Sequence, residues 1–87
     1  MHRIPNVAEV IETRENGKSI RWVVEQQGFS DPTNHGEGKW GWWVLVRRLN
    51  KSDEYQPKGS VKTLYSDEIK KAEFIGTMKR IFVWDTK

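Results

Sequence analysis

Cysteine is absent from the sequence, and its absence excludes several kinds of protein. Without a thiol there is no disulfide-stapled scaffold, no thiolate zinc site and no cysteine nucleophile. Long hydrophobic runs are missing as well: no segment approaches the ~18 apolar residues of a membrane span, and the amino terminus lacks the apolar core of a signal peptide. These absences are typical of a soluble protein of the cytoplasm, and we expect that location.

Proline and glycine are also scarce, with three and seven among 87 residues, and no repeat or low-complexity tract divides the chain. We predict a single small binding domain over residues 1–87, with a frayed terminus at 1–6, because half of so short a chain would bury too little surface to fold. Aromatic residues are well represented, with five Trp, three Phe and two Tyr. Each buried aromatic side chain removes ~150–250 Å² from water, so these residues should supply much of the core.

The chain has little excess charge, and that charge is unevenly placed. The net charge is +3, of which residues 1–38 contribute −2 and residues 39–87 contribute +5. A basic half would steer a polyanion towards itself. Dedicated nucleic-acid-binding proteins carry a stronger basic stripe, so the asymmetry favours an ordinary solvated surface over a nucleic-acid site.

The clearest local pattern is a β-hairpin around Asn16-Gly17. This dipeptide favours a two-residue turn, because both central positions of a type I′ turn need positive φ. Folding the chain there sets Glu12 opposite Arg21, a pairing of opposite charges that helps to fix the register. The same register pairs Glu15 with Lys18, Thr13 with Ile20, Ile11 with Trp22 and Val10 with Val23.

A polar loop and an apolar strand follow the hairpin. Residues 27–38 are rich in Gly, Pro, Asn and Asp and predict a long loop, whose start Phe29 would pin to the core. Residues 40–49 predict a central strand, because they are apolar on both alternating faces. One face carries Trp40, Trp42, Val44 and Val46, and we expect both tryptophans to lie in the core. The other face carries Trp43 and Arg47, so Trp43 either meets a partner or packs under the predicted helix.

The carboxy-terminal part predicts a strand and then a helix. Residues 60–65 form the strand, after a polar connection over 50–60. Ser66 has the residue type of a helix N-cap, and acidic residues follow it, as the positive end of a helix dipole favours. Ile69, Ala72 and Ile75 recur at helical spacing up to Gly76, which predicts a helix over 66–75. Residues 77–84 continue that helix or form a strand, and their β-branched and aromatic residues favour the strand.

Only one group of residues resembles metal ligands: Asp31, His35 and Glu37. Their spacing fits no known binding loop, and the flanking glycines give them no support, so we interpret them as a solvated loop. The sequence contains no nucleophile elbow, no Walker loop and no dinucleotide fingerprint. We therefore expect no enzyme activity, no metal and no cofactor.

These elements predict a β-rich α+β fold: a small antiparallel twisted sheet or partial barrel with one short C-terminal helix. The succession of hairpin, long loop, central strand and late helix over residues 7–65 resembles an SH3-like or Tudor-like barrel. The resemblance is architectural and carries no aromatic cage and no proline-peptide groove. It implies a binding module, because many small barrels of this kind act by binding.

Two functions of different classes follow from the aromatic and basic residues. In the first, the chain is a protein-interaction factor, an adaptor or inhibitor that docks on a larger protein as a monomer or homodimer. Small cysteine-free phage proteins that block host enzymes resemble it in this general way. In the second, it binds nucleic acid by stacking and phosphate contacts. The first is favoured, since Trp and Arg are enriched at protein interfaces and the net charge is small. The candidate partner-binding residues for both are Trp43, Arg47, Arg48, Lys70, Lys71, Lys79 and Arg80.

Overall fold

The computed structural model describes residues 3–30 and 41–78, which form one five-stranded antiparallel sheet and one short helix. The elements are β1 (Glu9–Glu15), β2 (Lys18–Ser30), β3 (Gly41–Arg48), β4 (Val61–Tyr65), α1 (Ser66–Lys71) and β5 (Glu73–Thr77). Their order across the sheet is β4-β3-β2-β1-β5. The predicted antiparallel sheet with a short helix is confirmed. The sheet is not closed, so an SH3-like barrel is not confirmed.

The predicted hairpin is confirmed in turn and register. Asn16 and Gly17 have φ values of 54° and 80°, as a turn with two left-handed residues requires. Each of the five predicted cross-strand pairs is present between β1 and β2. The indole Nε1 of Trp22 also donates a hydrogen bond of 2.8 Å to Thr13 Oγ1, so the buried ring keeps a polar partner.

The loop after β2 begins later than the predicted residue 27. β2 continues to Ser30, and residues 26–30 pair with the first half of β3 after a bulge at Glu25. The bulge places one extra residue in β2, which lets the polar segment pair although its composition suggests a loop. The candidate metal ligands Asp31, His35 and Glu37 lie outside the described residues, as does Trp40.

The strand at 61–65 is confirmed, but the helix after it is shorter than predicted. α1 ends at Lys71, and residues 73–77 form β5 against β1, with Phe74 opposite Ile11 and Gly76 opposite Val10. Strand pairing with β1 outweighs the helical spacing of the apolar residues there. The N-cap is Tyr65 rather than Ser66, and the Tyr65 N–H donates to Glu68 Oε1. β5 ends at Thr77 and Met78 is in no strand, so the choice between strand and helix over 77–84 stays a prediction, because residues 79–84 lie outside the described range.

The sheet is covered on both faces. On one face α1 packs against the central strands, and the buried cluster contains Ile11, Trp22, Val24, Val44, Val46, Leu64, Ile69 and Ala72. On the other face Val10, Val23 and Leu49 form a second cluster under the segment that contains Tyr55. Because the middle strands are buried on both sides, their apolar residues need no alternation with polar ones. Among the described residues, no helix is long and apolar enough to cross a membrane.

Candidate partner-binding site

Trp42 lies at the surface, and the expectation that it belongs to the core is wrong. Its side chain points to the same face as Val44 and Val46, but 43 % of the residue is exposed. Ile69 of α1 and the C-cap Ala72 belong to the cluster on this face, and Trp42 is not part of that cluster. The strand alternation was therefore predicted correctly, whereas the extent of the helix was not.

Phe29 lies directly opposite Trp42 on β2 and forms an exposed aromatic pair with it. The ring centroids are 5.5 Å apart at an interplanar angle of 74°, and Phe29 is 57 % exposed. This edge-to-face geometry is one that aromatic pairs prefer. Phe29 does not pin a loop to the core as expected. We call Phe29 and Trp42 the aromatic pair.

Trp43 lies on the opposite face of the sheet, half-buried against Gly28 of β2. A methyl group at Gly28 would overlap the indole ring, so the glycine is what allows the ring to lie against the strand. The alternative that the helix covers Trp43 is wrong, since α1 packs on the face of Val44 and Val46. Trp43 thus has a packing role within the sheet, with part of its surface accessible.

Arg47 is held by acceptors of this chain. Its guanidinium contacts Glu25 at 2.6 Å and 3.3 Å, and it also donates to the carbonyl oxygens of Pro57 and Gly59 at 2.9 Å and 2.8 Å. Tyr55 donates a hydrogen bond of 2.7 Å to the same carboxylate. The arrangement fixes the segment after β3 onto the sheet, and it leaves Arg47 with little charge to offer a partner.

The pKa of Glu25 reflects this network. Partial burial raises the pKa of the Glu25 carboxyl, but hydrogen bonds from Arg47 and Tyr55 outweigh burial, and the pKa lies below its ordinary value. Burial together with the Glu25 carboxylate raises the pKa of Tyr55. Glu25 is therefore an ionised acceptor at neutral pH, and Tyr55 a protonated donor.

The other predicted site residues do not gather into one patch with Arg47. Arg48 follows it along β3 and so points to the opposite face, where it is exposed beside the position of Trp22. Lys70 and Lys71 are exposed on α1. Lys79 and Arg80 lie outside the described residues.

Several further cations are neutralised by neighbouring carboxylates. Arg3 pairs with Glu9 at 2.9 Å, Lys62 pairs with Glu15 at 2.8 Å, and Arg21 pairs with Glu12 at 3.3 Å and Asp53 at 2.6 Å. The hydrogen bond from Arg3 is the main cause of a lowered pKa for Glu9. Such pairs reduce the positive field that a nucleic acid would meet.

The sequence offers no signal that would have identified the aromatic pair. Without the bulge at Glu25, residue 28 rather than residue 29 would face Trp42. Phe29 enters the pair only through that extra residue in β2, and a bulge of this kind has no residue signature in the segment.

No metal centre or relative guides the assignment further. Within residues 3–30 and 41–78, no three His, Asp or Glu side chains are grouped to hold a metal ion. No protein-family model, curated protein or solved structure matches this chain.

Proposed function

We propose that this chain is a non-catalytic binding module that docks on a larger protein through the aromatic pair. The observation that carries the proposal is the exposure of two large rings in edge-to-face contact at the end of the β2–β3 ribbon. Exposing two such rings to water is unfavourable, and aromatic anchors of this kind contribute much of the binding energy at protein interfaces. To dock on a larger protein, an adaptor or inhibitor needs only such an exposed aromatic surface on a stable fold.

A protein partner is favoured over a nucleic acid by the electrostatics of the described residues. Arg47, the arginine expected to hold a phosphate, is engaged by Glu25 and by two carbonyl oxygens. Arg48 points away from it. A nucleic-acid site would need several unpaired cations beside the stacking rings, since neutralising phosphates supplies most of its affinity.

The finer fold prediction, a partial SH3-like barrel, belongs to the same proposal. It is supported by the ion pair between Lys62 of β4 and Glu15 of β1, which brings two non-adjacent strands of the open sheet near each other. Binding on the surface of a curled sheet by residues at strand ends is common among small barrels. A cytoplasmic location remains part of this proposal.

Photocrosslinking with competition tests the proposal. The full chain carries benzoylphenylalanine in place of Phe29, and a control carries it in place of Phe74, which is 47 % exposed on β5. We expect the chain with benzoylphenylalanine at position 29 to crosslink one defined protein in an extract. Excess unmodified chain should compete with this crosslinking, and the Phe29→Ala/Trp42→Ala double variant should not. Equal competition by the double variant would contradict the proposal.

A titration with oligonucleotides tests the alternative function, nucleic-acid binding. Tryptophan fluorescence is followed as single-stranded and duplex oligonucleotides are added at two salt concentrations. We expect no salt-sensitive change. Binding that weakens steeply with salt and is lost in the double variant would assign the aromatic pair to nucleic acid instead.

A further inference from the structure

Two of the strand edges that have no partner strand among the described residues lie beside one groove. β5 pairs with β1 only as far as Glu12, so the last three residues of β1, 13–15, have no described strand on that side. β4 pairs with β3 on one side and with no described strand on the other. In a two-residue hairpin the residues next to the turn form a hydrogen-bonded pair, which directs the N–H and C=O of Arg14 away from β2.

These two edges face each other across a groove. The groove has a volume of ≈ 470 Å³ and is lined by residues of β1, β4, α1 and β5, among them Arg14, Leu64 and Glu73. Lys62 reaches across it to Glu15, with 2.8 Å between Nζ and Oε2. The Lys62 Nζ also lies 5.8 Å from the centre of the Trp22 ring.

Both edges belong to the lining of the groove, which includes Thr13, Arg14 and Glu15 of β1 and Lys62 and Leu64 of β4. The volume also falls within the roughly 300–1,000 Å³ that is usual for ligand sites.

We infer that the groove binds an extended segment of a partner polypeptide, which adds a strand between β1 and β4. A peptide backbone is the ligand that offers N–H and C=O groups to both edges at once. β1 and β4 run antiparallel to each other, because three antiparallel pairings separate them. An added strand that runs antiparallel to β1 is therefore parallel to β4. The open edge of β1 is three residues long and β4 is five residues long, so an added strand of three to five residues would fill the groove.

The charges at one end of the groove select a basic residue in that segment. Glu12 and Glu73 are directly opposite each other on β1 and β5, and like charges in this position repel. Arg21 pairs with Glu12, whereas Glu73 forms no ion pair with any residue of the described part of the chain. A Lys or Arg of the incoming strand beside Glu73 would offset the repulsion. The bound segment is thus an extended peptide with a basic side chain near its end at β5.

The site is distinct from the aromatic pair, so the two are tested separately. The probe is a random heptapeptide library displayed on phage, and the selected peptide is resynthesised with fluorescein for anisotropy. We expect selected sequences to share a Lys or Arg within an alternating β-rich pattern. Replacing a backbone N–H of the peptide that bonds to the groove by N-methyl should lower affinity by about tenfold, which is about 1.4 kcal/mol and within the range for one lost hydrogen bond.

Four variants and one exchange experiment identify the groove. Glu73→Lys should lower affinity by about tenfold, whereas Glu54→Lys, a charge reversal in the 50–60 segment, and the Phe29→Ala/Trp42→Ala variant should leave it unchanged. Arg14→Pro removes the outward N–H and should abolish binding. Since that variant could also unfold β1, hydrogen exchange of the unmodified chain provides the independent measurement: the Arg14 amide should become protected when peptide is added.

The contradicting results are equally definite. A library that yields no peptide of this kind, an N-methylated peptide that binds as well as its parent, or an Arg14 amide without added protection would each overturn the inference. Loss of peptide binding in the Phe29→Ala/Trp42→Ala variant would move the peptide to the aromatic pair and overturn it too. A homodimer that buries the groove and excludes peptide would show that the occupant is a second copy, against the inference.

Discussion

At the scale of single residues, the neighbours of a tryptophan decide what it does. Trp22 is 5 % exposed, with its indole nitrogen bonded to Thr13 and its ring inside the main cluster. Trp42 has the same residue type and a strand position on the same face, yet it is 43 % exposed and is not part of that cluster. Trp43 uses the absence of a side chain at Gly28 to lie against β2. Hydrophobicity alone does not separate these three cases.

Truncating the two tryptophans of this face should have unequal effects. Trp22→Ala removes a buried aromatic and should lower the free energy of unfolding by about 3–5 kcal/mol, which in so small a domain approaches its total stability. Trp42→Ala should cost about 1 kcal/mol or less, because much of its ring is already in water. Urea unfolding followed by circular dichroism measures both. Equal losses would show that Trp42 belongs to the core after all.

Replacing Gly28 with a larger residue should displace the indole ring of Trp43. Gly28→Ala places a methyl group where the indole lies, so the ring must move, and we expect a loss of about 1–3 kcal/mol in the free energy of unfolding. Gly76→Ala is the matched control, since a Cβ there meets nothing within 4 Å. The two variants are compared by urea unfolding. A Gly28→Ala protein as stable as the Gly76→Ala protein would contradict the close contact between Gly28 and Trp43.

The Glu25 network should make stability depend on pH in the acid range. The folded-state pKa of Glu25 is below its unfolded value, so the unfolded state binds the proton more readily. The stability from this group is complete above the ordinary carboxyl pKa and is lost as the pH falls through the lower, folded-state pKa. Glu25→Gln should reduce the loss of stability between neutral and acid pH. An unchanged pH dependence in Glu25→Gln would show that the network contributes no such stability.

At the scale of elements, local residue chemistry predicts some parts of the fold and long-range pairing decides others. The hairpin could be predicted with its register, because Asn16-Gly17 is one of the few dipeptides that suit two successive positive φ values. The end of α1 could not, because residues 73–77 have helical spacing and become a strand only when β1 is beside them. The bulge at Glu25 also depends on long-range pairing, here between β2 and β3. This bulge brings Phe29 opposite Trp42 and so creates the aromatic pair.

The hairpin turn should tolerate little change at Gly17. Gly17→Val places a β-branched side chain at a φ of 80° and should lower the free energy of unfolding by about 1–2 kcal/mol or more. Ser19→Val, an exposed strand position two residues on, serves as the control and should have almost no effect. Thermal melts of the two variants compare them directly. A melting temperature that is the same for Gly17→Val and wild type would refute the turn's need for a left-handed residue.

At the scale of the whole molecule, one small sheet offers two separate surfaces. The helix and the second cluster bury the middle strands on both faces, and ion pairs neutralise several of the arginines and lysines around them. Among the described residues, the two surfaces proposed for a partner are the aromatic pair at one end of the β2–β3 ribbon and the groove between β1 and β4. The sequence predicted a binding surface made of aromatic and basic residues. Its aromatic part lies one residue away from the predicted Trp43, and of the predicted arginines Arg47 serves the fold.

The affinity of the crosslinked protein partner for two variants and the unmodified chain tests the central claim most directly. The dissociation constant is measured by titration calorimetry for Phe29→Ala/Trp42→Ala, for the control Phe74→Ala and for the unmodified chain. We predict that the double variant keeps its fold and loses about 2 kcal/mol or more of binding free energy, roughly a thirtyfold weaker dissociation constant, while the control binds normally. A double variant that binds as tightly as the unmodified chain would contradict the assignment of the aromatic pair as the docking surface.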